Sequence, residues 1–302
     1  MPSFIPCFSL LSDLIISLFI LFKITYFNSI KSYLWENLNF TGSYLYDVIA
    51  INDTIFIATQ KGLQQSVDLG ISWTLCFRYS DRFVNVNDML ALSGDKLLIG
   101  TSAGLFLVEN NFSSWDSTSI TKSVNLIKTD NMGNAYTSAD YLYRSTDVGL
   151  TWQIPYNIVP NNPRNVQDIF INDSGYVFTI QYNGLPGSYA LALKSTDFGL
   201  TWNYMWDYTC ACNASSVGYS IIEDYSGTLF LSYYFSKGPP GPFTDVSIIK
   251  KELGGTWTTV YDWKIANNMY LYNQALCMAT NGYSSSQSLG VIKSTDNGNT
   301  FI

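Results

Sequence analysis

Short apolar stretches separated by turn residues recur along most of the chain. Residues 86–115 show the pattern clearly, with an apolar run, a turn at Ser93-Gly94-Asp95, a second run to Thr101 and a third at residues 105–108. Apolar runs of four to eight residues between turn residues are typical of β-strands. The pattern predicts an all-β fold built from consecutive antiparallel hairpins.

An eight-residue pattern, S-x-D-x-G-x-T/S-W/F, closes four of these units. Two degenerate copies place Asn110 and Glu252 at the Asp position. The Asp positions of all six copies are 37 to 55 residues apart, which is the length of a four-stranded unit. The four full copies are SVDLGISW, STDVGLTW, STDFGLTW and STDNGNTF, beginning at Ser66, Ser145, Ser195 and Ser294.

Each position of this box has a structural role. The carboxylate can accept backbone N–H bonds in a tight turn, Gly supplies a positive φ, and the aromatic residue packs between sheets. We therefore interpret the box residues as structural rather than catalytic. They are Asp68, Asp147, Asp197 and Asp296, with Gly70, Gly149, Gly199, Gly298, Trp73, Trp152, Trp202 and Phe301.

The box resembles the Asp-box, or bacterial neuraminidase (BNR) repeat, of sialidase-like, sortilin-like and photosystem II assembly factor-like proteins. The resemblance implies a β-propeller, and the six boxes predict six four-stranded antiparallel blades over residues 29–302. Because the chain stops after the sixth box, we expect residues 32–37 to complete the last blade as a strand. A fragment whose missing residues supply that strand is the alternative.

Residues 1–28 are strongly apolar and precede the repeats. Asp13 interrupts the apolar run, and no Lys or Arg precedes it. We expect a hydrophobic helix that serves as a signal peptide or a membrane anchor, with cleavage and anchoring left open. This predicts a secreted or membrane-anchored, extracytoplasmic protein.

Composition excludes several classes of function. The formal net charge of −7 leaves no basic surface for nucleic acid. The chain has no His, which removes the Ser-His-Asp triad, the Cys-His dyad and His-based zinc sites. Cys210 and Cys212 are too close for a C-x-x-C pattern, and we predict neither a metal nor a cofactor.

The end of the sheets opposite the boxes is the expected ligand face. There, the loops between second and third strands are long in units four to six, at residues 181–190, 233–245 and 280–290. Long loops on a rigid scaffold often carry function. Aromatic residues near these loops are candidate contacts for a sugar or a peptide, unless they only pack the loops onto the sheets. They are Tyr182, Tyr189, Trp206, Tyr233, Tyr234, Phe235 and Tyr283.

The first strand of each unit carries a polar residue at a matching position. We expect these residues to line a central channel, where the three Asp are candidate binding residues. Three carboxylates could bind a cation, and a wet, hydrogen-bonded channel is the simpler interpretation. The six residues are Asp47, Asp88, Asn125, Asp168, Ser220 and Asn273.

The arginines argue against a sialidase, for which the resemblance implies three arginines from separate blades. Only four are present, of which Arg78 and Arg82 share one connection and Arg144 directly precedes a box. We therefore assign no catalytic residues. The sequence predicts a non-catalytic propeller that binds a protein or a glycan. A glycoside hydrolase of sialidase-like or related type, using two carboxylates, is the alternative.

Overall fold

The computed structural model is all-β within the residues that it describes. These are 20–23, 34–37, 44–79, 83–92, 96–109, 114–155, 165–182, 190–207, 214–237, 243–262, 264–272, 274–282 and 290–302. They belong to two compact units, an N-terminal unit within Leu10–Asn125 and a C-terminal unit within Leu126–Ile302. Each unit is a series of antiparallel sheets.

The N-terminal unit holds one two-stranded ribbon and two four-stranded sheets. The ribbon pairs β1 (Ile20–Lys23) with β2 (Leu34–Asn37). Sheet 1 contains β3 (Leu45–Ile51), β4 (Thr54–Thr59), β5 (Gly62–Ser66) and β6 (Thr74–Phe77). Sheet 2 contains β7 (Val86–Leu92), β8 (Lys96–Thr101), β9 (Gly104–Glu109) and β10 (Ser114–Ser117).

The C-terminal unit holds four sheets. Sheet 3 contains β11 (Leu126–Thr129), β12 (Ala135–Ser138) and β13 (Leu142–Ser145). Sheet 4 contains β14 (Asn165–Ile171), β15 (Val177–Tyr182), β16 (Leu191–Ser195) and β17 (Asn203–Asp207). Sheet 5 contains β18 (Ala214–Glu223), β19 (Leu229–Lys237), β20 (Phe243–Lys251) and β21 (Trp257–Asp262). Sheet 6 contains β22 (Lys264–Tyr272), β23 (Ala275–Gly282) and β24 (Gly290–Ser294).

In all six sheets, consecutive strands are antiparallel neighbours. The prediction of an all-β chain with six repeated sheets is therefore confirmed, and the closed six-bladed ring stays a prediction. Sheets 3 and 6 have three strands each, and a short pairing follows the box in both. Arg144 bridges to Gln153, and Ile302 exchanges two backbone hydrogen bonds of 2.9 Å with Lys293.

The prediction of an N-terminal helix is wrong at residues 20–23, which form β1 instead. A short apolar run does not by itself distinguish helix from strand, and pairing with β2 gives these residues a backbone partner. The predicted completion of the last sheet by residues 32–37 is not confirmed, because the partner of Leu34–Asn37 is β1. Within the described ranges, no helix is long and apolar enough to span a bilayer.

The cores lie between neighbouring sheets and are built from the middle strands. In the N-terminal unit, Phe56 of sheet 1 packs with Leu97 and Phe106 of sheet 2. In the C-terminal unit, Phe178 of sheet 4 packs with Leu231 of sheet 5. The strands that supply these core residues, such as β4 and β8, are accordingly rich in apolar residues.

The box turns share one hydrogen-bond network, seen here at Asp197. The Ser195 hydroxyl donates to Asp197 Oδ1 at 2.7 Å and accepts from the Gly199 amide at 2.8 Å. The Thr201 amide and hydroxyl donate to the two oxygens of the same carboxylate at 2.8 and 2.6 Å. The Trp202 indole N–H donates to the Gly199 carbonyl at 3.1 Å. The Ser, Gly and Thr/Ser bonds recur at Asp68, Asp147 and Asp296.

The fourth box lies directly on an aromatic ring of the preceding sheet. A Cβ at Gly199 would meet Tyr136 Cε1 at 2.7 Å, and Gly199 has a φ of +79°. The buried Tyr136 hydroxyl is 2.8 Å from both the Phe198 carbonyl oxygen and Asp130 Oδ2, which share its proton. Gly298 lies in the same way against Phe230. Gly is thus required both by the turn and by the ring beneath it.

The degenerate fifth box is held by a different interaction. Lys250, which stands where other boxes have Ser, is buried and places its ammonium 3.5 Å from Glu252 Oε1. The same ammonium donates to Asn299 Oδ1 at 2.6 Å and to the Asn297 carbonyl at 3.1 Å. Lys250 therefore joins the fifth box to the sixth. The second degenerate box, at Asn110, lies outside the described residues.

Replacing Gly199 by Ala should destabilise the fold by both backbone strain and overlap with Tyr136. An L-residue at positive φ costs about 1–2 kcal/mol, and overpacking a core adds about 1–3 kcal/mol. Gly227 is the matched control, because its φ is +80° and a Cβ there would meet no atom within 4 Å. Urea unfolding should show a larger loss for Gly199→Ala than for Gly227→Ala, and equal losses would contradict the ring contact.

The box carboxylates should make stability depend on acid pH. Bonds from Ser72 hold the pKa of Asp68 at about 2, and bonds from Thr300 hold that of Asp296 at about 2, both below the ordinary 3.8. A lowered folded-state pKa gives stability that is present above about pH 4 and is lost as the pH falls towards 2. We expect the stability gap between wild type and Asp296→Asn to close over that range. An unchanged gap in urea midpoints would argue against the network.

Candidate binding site between the first strands

The three predicted first-strand carboxylates each follow a β-bulge. The register of the first strand shifts between Leu45 and Asp47, between Val86 and Asp88, and between Val166 and Asp168. Each carboxylate then accepts the amide of the next residue through Oδ1, at 2.8 to 3.0 Å. The bulge thereby turns the carboxylate back onto its own strand.

Asp168 also joins two neighbouring sheets. Its Oδ2 accepts the Ser220 hydroxyl at 2.7 Å and the Ile221 amide at 3.0 Å. Burial raises the pKa of Asp168, while these bonds and the charge of Lys128 oppose that rise. Oδ1 thus binds its own strand and Oδ2 holds β14 to β18, so this carboxylate has a structural role.

Asp47 and Asp88 form the corresponding link in the N-terminal unit. The Met89 amide is 3.0 Å from Asp47 Oδ2 and 3.0 Å from Asp88 Oδ1, so two carboxylates share one donor. Burial and the neighbouring charge of Asp88 raise the pKa of Asp47 to about 7. Asp47 therefore carries a proton below about pH 7.

The bulge also corrects the predicted set of first-strand residues. In sheet 6 the shift falls between Ala266 and Asn268, so Asn268 matches Asp168, whereas the predicted Asn273 lies outside the described residues. Asn125 precedes β11 and accepts a bond of 3.1 Å from the Asn87 amide group. A bulge has no sequence signature, so the match of Asn268, which lies five residues before Asn273, is visible only in the strand pairing.

A cavity of about 660 Å³ lies within the C-terminal unit. It is lined by parts of β11, β14, β18 and β22 and by the turns that follow β14 and β18. Ile171 pairs with Val177, and Val177 pairs with Ser195, so these turns lie at the same end of the sheet as the box. This end lies opposite the predicted ligand face, and the cavity was not predicted from the sequence.

Two cavity turns share a motif that sequence analysis missed. The Asn172 side chain accepts the Ser174 and Tyr176 amides at 3.1 and 2.9 Å. The Asp224 side chain likewise accepts the Ser226 and Thr228 amides, each at 2.9 Å. The common signal is Asn/Asp-x-x-Gly, in NDSG and DYSG, and it recurs as DNMG after β11.

The ammonium group of Lys194 lies beside one wall of the cavity. Lys194 Nζ lies 3.6 Å from Glu223 Oε1 and 4.5 Å from the centre of the Tyr176 ring. It also lies 4.8 Å from the centre of the Phe178 ring. Asn172 donates to the other oxygen of Glu223. A carboxylate and two aromatic faces thus form a setting suited to a cation.

The predicted aromatic contacts are brought together only in part. Tyr233 is 6% exposed, and its ring centre lies 5.1 Å from that of Trp206 in the core between sheets 4 and 5. Tyr233 therefore packs the sheets instead of facing solvent, and Tyr234 is half-buried. The remaining candidates have side chains outside the described residues: Tyr182, Tyr189, Phe235 and Tyr283.

No protein-family model and no curated protein matches the sequence. The fold is similar to that of solved β-propeller-like structures. One is the extracellular domain of the hybrid two-component system BT4673 from B. thetaiotaomicron, with a TM-score of 0.63, 12% identity, and 94% of this chain matched to 34% of that one. An ancestral GH74 enzyme has a TM-score of 0.58 and 15% identity, with 84% of this chain matched to 38% of that one. A PL25 ulvan lyase bound to a GlcA–Rha3S saccharide has a TM-score of 0.56 and 10% identity, with 84% of this chain matched to 81% of that one.

These similarities show the type of fold. The chain is a β-propeller-like protein of repeated antiparallel sheets. It spans about a third of the length of the first two structures.

Replacing Asp47 by Asn should stabilise the protein at alkaline pH. The raised pKa of Asp47 means that ionisation in the folded state is unfavourable, so wild type loses stability as the pH rises from about 4 through 7. Asn removes the charge and keeps one of the two acceptor oxygens that bind Val48 and Met89. The urea midpoint of Asp47→Asn should not exceed that of wild type at pH 4 and should exceed it at pH 8. Asp53→Asn, at an exposed turn, is the control, and a pH-independent difference would contradict the coupling to Asp88.

Proposed function

We propose that this chain is a non-catalytic β-propeller that binds a protein or a glycan. Residues 29–302 would form its six blades, and residues 1–28 a signal peptide or membrane anchor of an exported protein. The main support for this proposal is that its box and first-strand carboxylates are occupied by structural hydrogen bonds. Asp168 and the four box Asp accept backbone amides and hydroxyls through both oxygens. Carboxylates committed in this way stabilise turns and strands, which suits a rigid binding scaffold.

The solved structures of similar fold support this proposal. BT4673 contributes an extracellular domain, which agrees with export of this chain, and the PL25 structure holds a bound saccharide. In our proposal the ligand contacts the sheet ends opposite the boxes. Of the proposed contacts there, the half-buried Tyr234 on β19 and Trp206 on β17 lie within the described residues.

A glycoside hydrolase is the second candidate, and the Asp47–Asp88 pair favours it. A protonated carboxyl beside an ionised one is the combination that a glycosidase uses as acid and as base or nucleophile. The pair shares the Met89 amide, which fixes both groups close to the strand. A catalytic role would require the substrate to reach them there.

A glycan array and a panel of fluorogenic glycosides separate the two candidates. We expect the full chain to bind a glycan, or a protein partner if no glycan binds, and to turn over none of the glycosides. Turnover that is lost in both Asp47→Asn and Asp88→Asn would reject the binding-only function and establish the hydrolase.

Tyr234→Ala tests the location of the ligand. It should weaken ligand binding about fivefold or more, as expected for loss of an aromatic contact. Tyr204→Ala is the matched control, because Tyr204 lies on β17 two residues from Trp206 and is 68% exposed. Equal effects of the two substitutions, with unchanged unfolding midpoints, would place the ligand elsewhere.

A further inference from the structure

The cavity between the first strands has an excess of negative charge. Four carboxylates line it, Lys128 is the one ammonium among the lining residues, and Lys194 behind the lining pairs with Glu223. Asp173 and Asp224 have no such ammonium partner among the described residues. Lys128 interacts with Asp168, on the first strand and away from the turns. The turn end of the cavity is therefore acidic, which disfavours anionic ligands and attracts cations.

Two carboxylates at the turn end can accept further hydrogen bonds. Asp224 Oδ1 accepts the Ser226 amide and hydroxyl and the Thr228 amide. Within the described part of the chain, no residue donates a hydrogen bond to Asp224 Oδ2. Asp173, on the neighbouring turn, is exposed, and its backbone carbonyl accepts a 3.0 Å bond from Asn131. These bonds fix the two turns before any ligand arrives, which lowers the entropy cost of binding.

Aromatic rings complete the surroundings of these carboxylates. Tyr225 is 62% exposed and follows Asp224 in its turn, and Tyr270 is 38% exposed on β22. A cation near both a carboxylate and an aromatic face gains from each. The chain uses the same combination on the adjoining wall, where Lys194 lies between Glu223 and Tyr176.

We propose that the turn end of this cavity binds an organic cation, the ammonium or guanidinium group of a basic peptide or of a polyamine. Asp173 and Asp224 accept its N–H donors, and Tyr225 covers it with a ring face. The site lies at the opposite end of the sheets from the loop surface proposed above. It is thus a second site, and it stands or falls independently of the glycan experiment.

Isothermal titration calorimetry on the full chain tests the proposal, at about 50 mM salt where screening is modest. The probes are blocked tetralysine, blocked tetraarginine and spermidine, with blocked tetraglutamine and a neutral tetrasaccharide for comparison. We expect the cations to bind and the neutral probes not to bind. Binding of the peptides alone identifies a peptide site, and binding of spermidine as well identifies a general ammonium site.

The double variant Asp173→Asn/Asp224→Asn should weaken cation binding about fivefold or more. Asn at 224 keeps the Oδ1 acceptor that forms the turn. The matched control is Asp53→Asn/Asp116→Asn, which removes the same charge from two exposed positions of the N-terminal unit. An equal loss in the control would show a general effect of net charge and overturn the proposal.

Tyr225→Ala gives a second test that leaves every charge in place. It should weaken cation binding about threefold, as expected for an exposed cation–π contact, with an unchanged unfolding midpoint. Unchanged affinity in both Tyr225→Ala and the double variant, or equal binding of tetraglutamine and tetralysine, would overturn the proposal.

Discussion

The packing of neighbouring sheets depends on a glycine turn held against a buried aromatic ring. Tyr136 and Phe230 each lie beneath the box glycine of the following sheet, at Gly199 and Gly298. Such a contact requires a turn of fixed shape. The box provides it because the carboxylate accepts the Ser hydroxyl before it and the amide and hydroxyl of the Thr or Ser after it. The ring is buried, so its sheet and the next are joined at the same point. The box pattern therefore recurs in the sequence where the turn packs against a ring of the preceding sheet, as at Gly199 and Gly298.

A second set of carboxylates joins the sheets at their first strands. Asp168 Oδ2 connects β14 with β18, and Asp47 Oδ2 makes the corresponding bond to Met89. Box and bulge together account for most of the acidic groups that the sequence singled out. In our proposals, recognition falls to two kinds of surface: the loops opposite the boxes and the acidic, aromatic cavity at the box end. This division is typical of a rigid scaffold that presents variable surfaces.

The sequence predicts the sheets well because box and strand patterns are local. Asp197 and its network follow from spacing and turn chemistry alone. The ring of Tyr136 beneath the next box could not be predicted, because that contact joins residues 62 positions apart. The match of Asn268 with Asp168 was missed because it is defined by the position of the bulge in the strand pairing, which the sequence pattern does not show. The burial of Tyr233 was left open because a ring at a strand end suits both a core and a ligand surface.

Amide hydrogen exchange at the box turns tests the central claim most directly. Thr151 and Thr201 are exposed, yet each donates its amide to an Asp carboxylate at 2.8 Å. If the boxes are fixed structural contacts, these amides should exchange as slowly as strand amides, and Asp197→Ala should release Thr201 without affecting Thr151. Fast exchange of both amides in the wild-type protein would show that the turns open freely, and it would contradict the account.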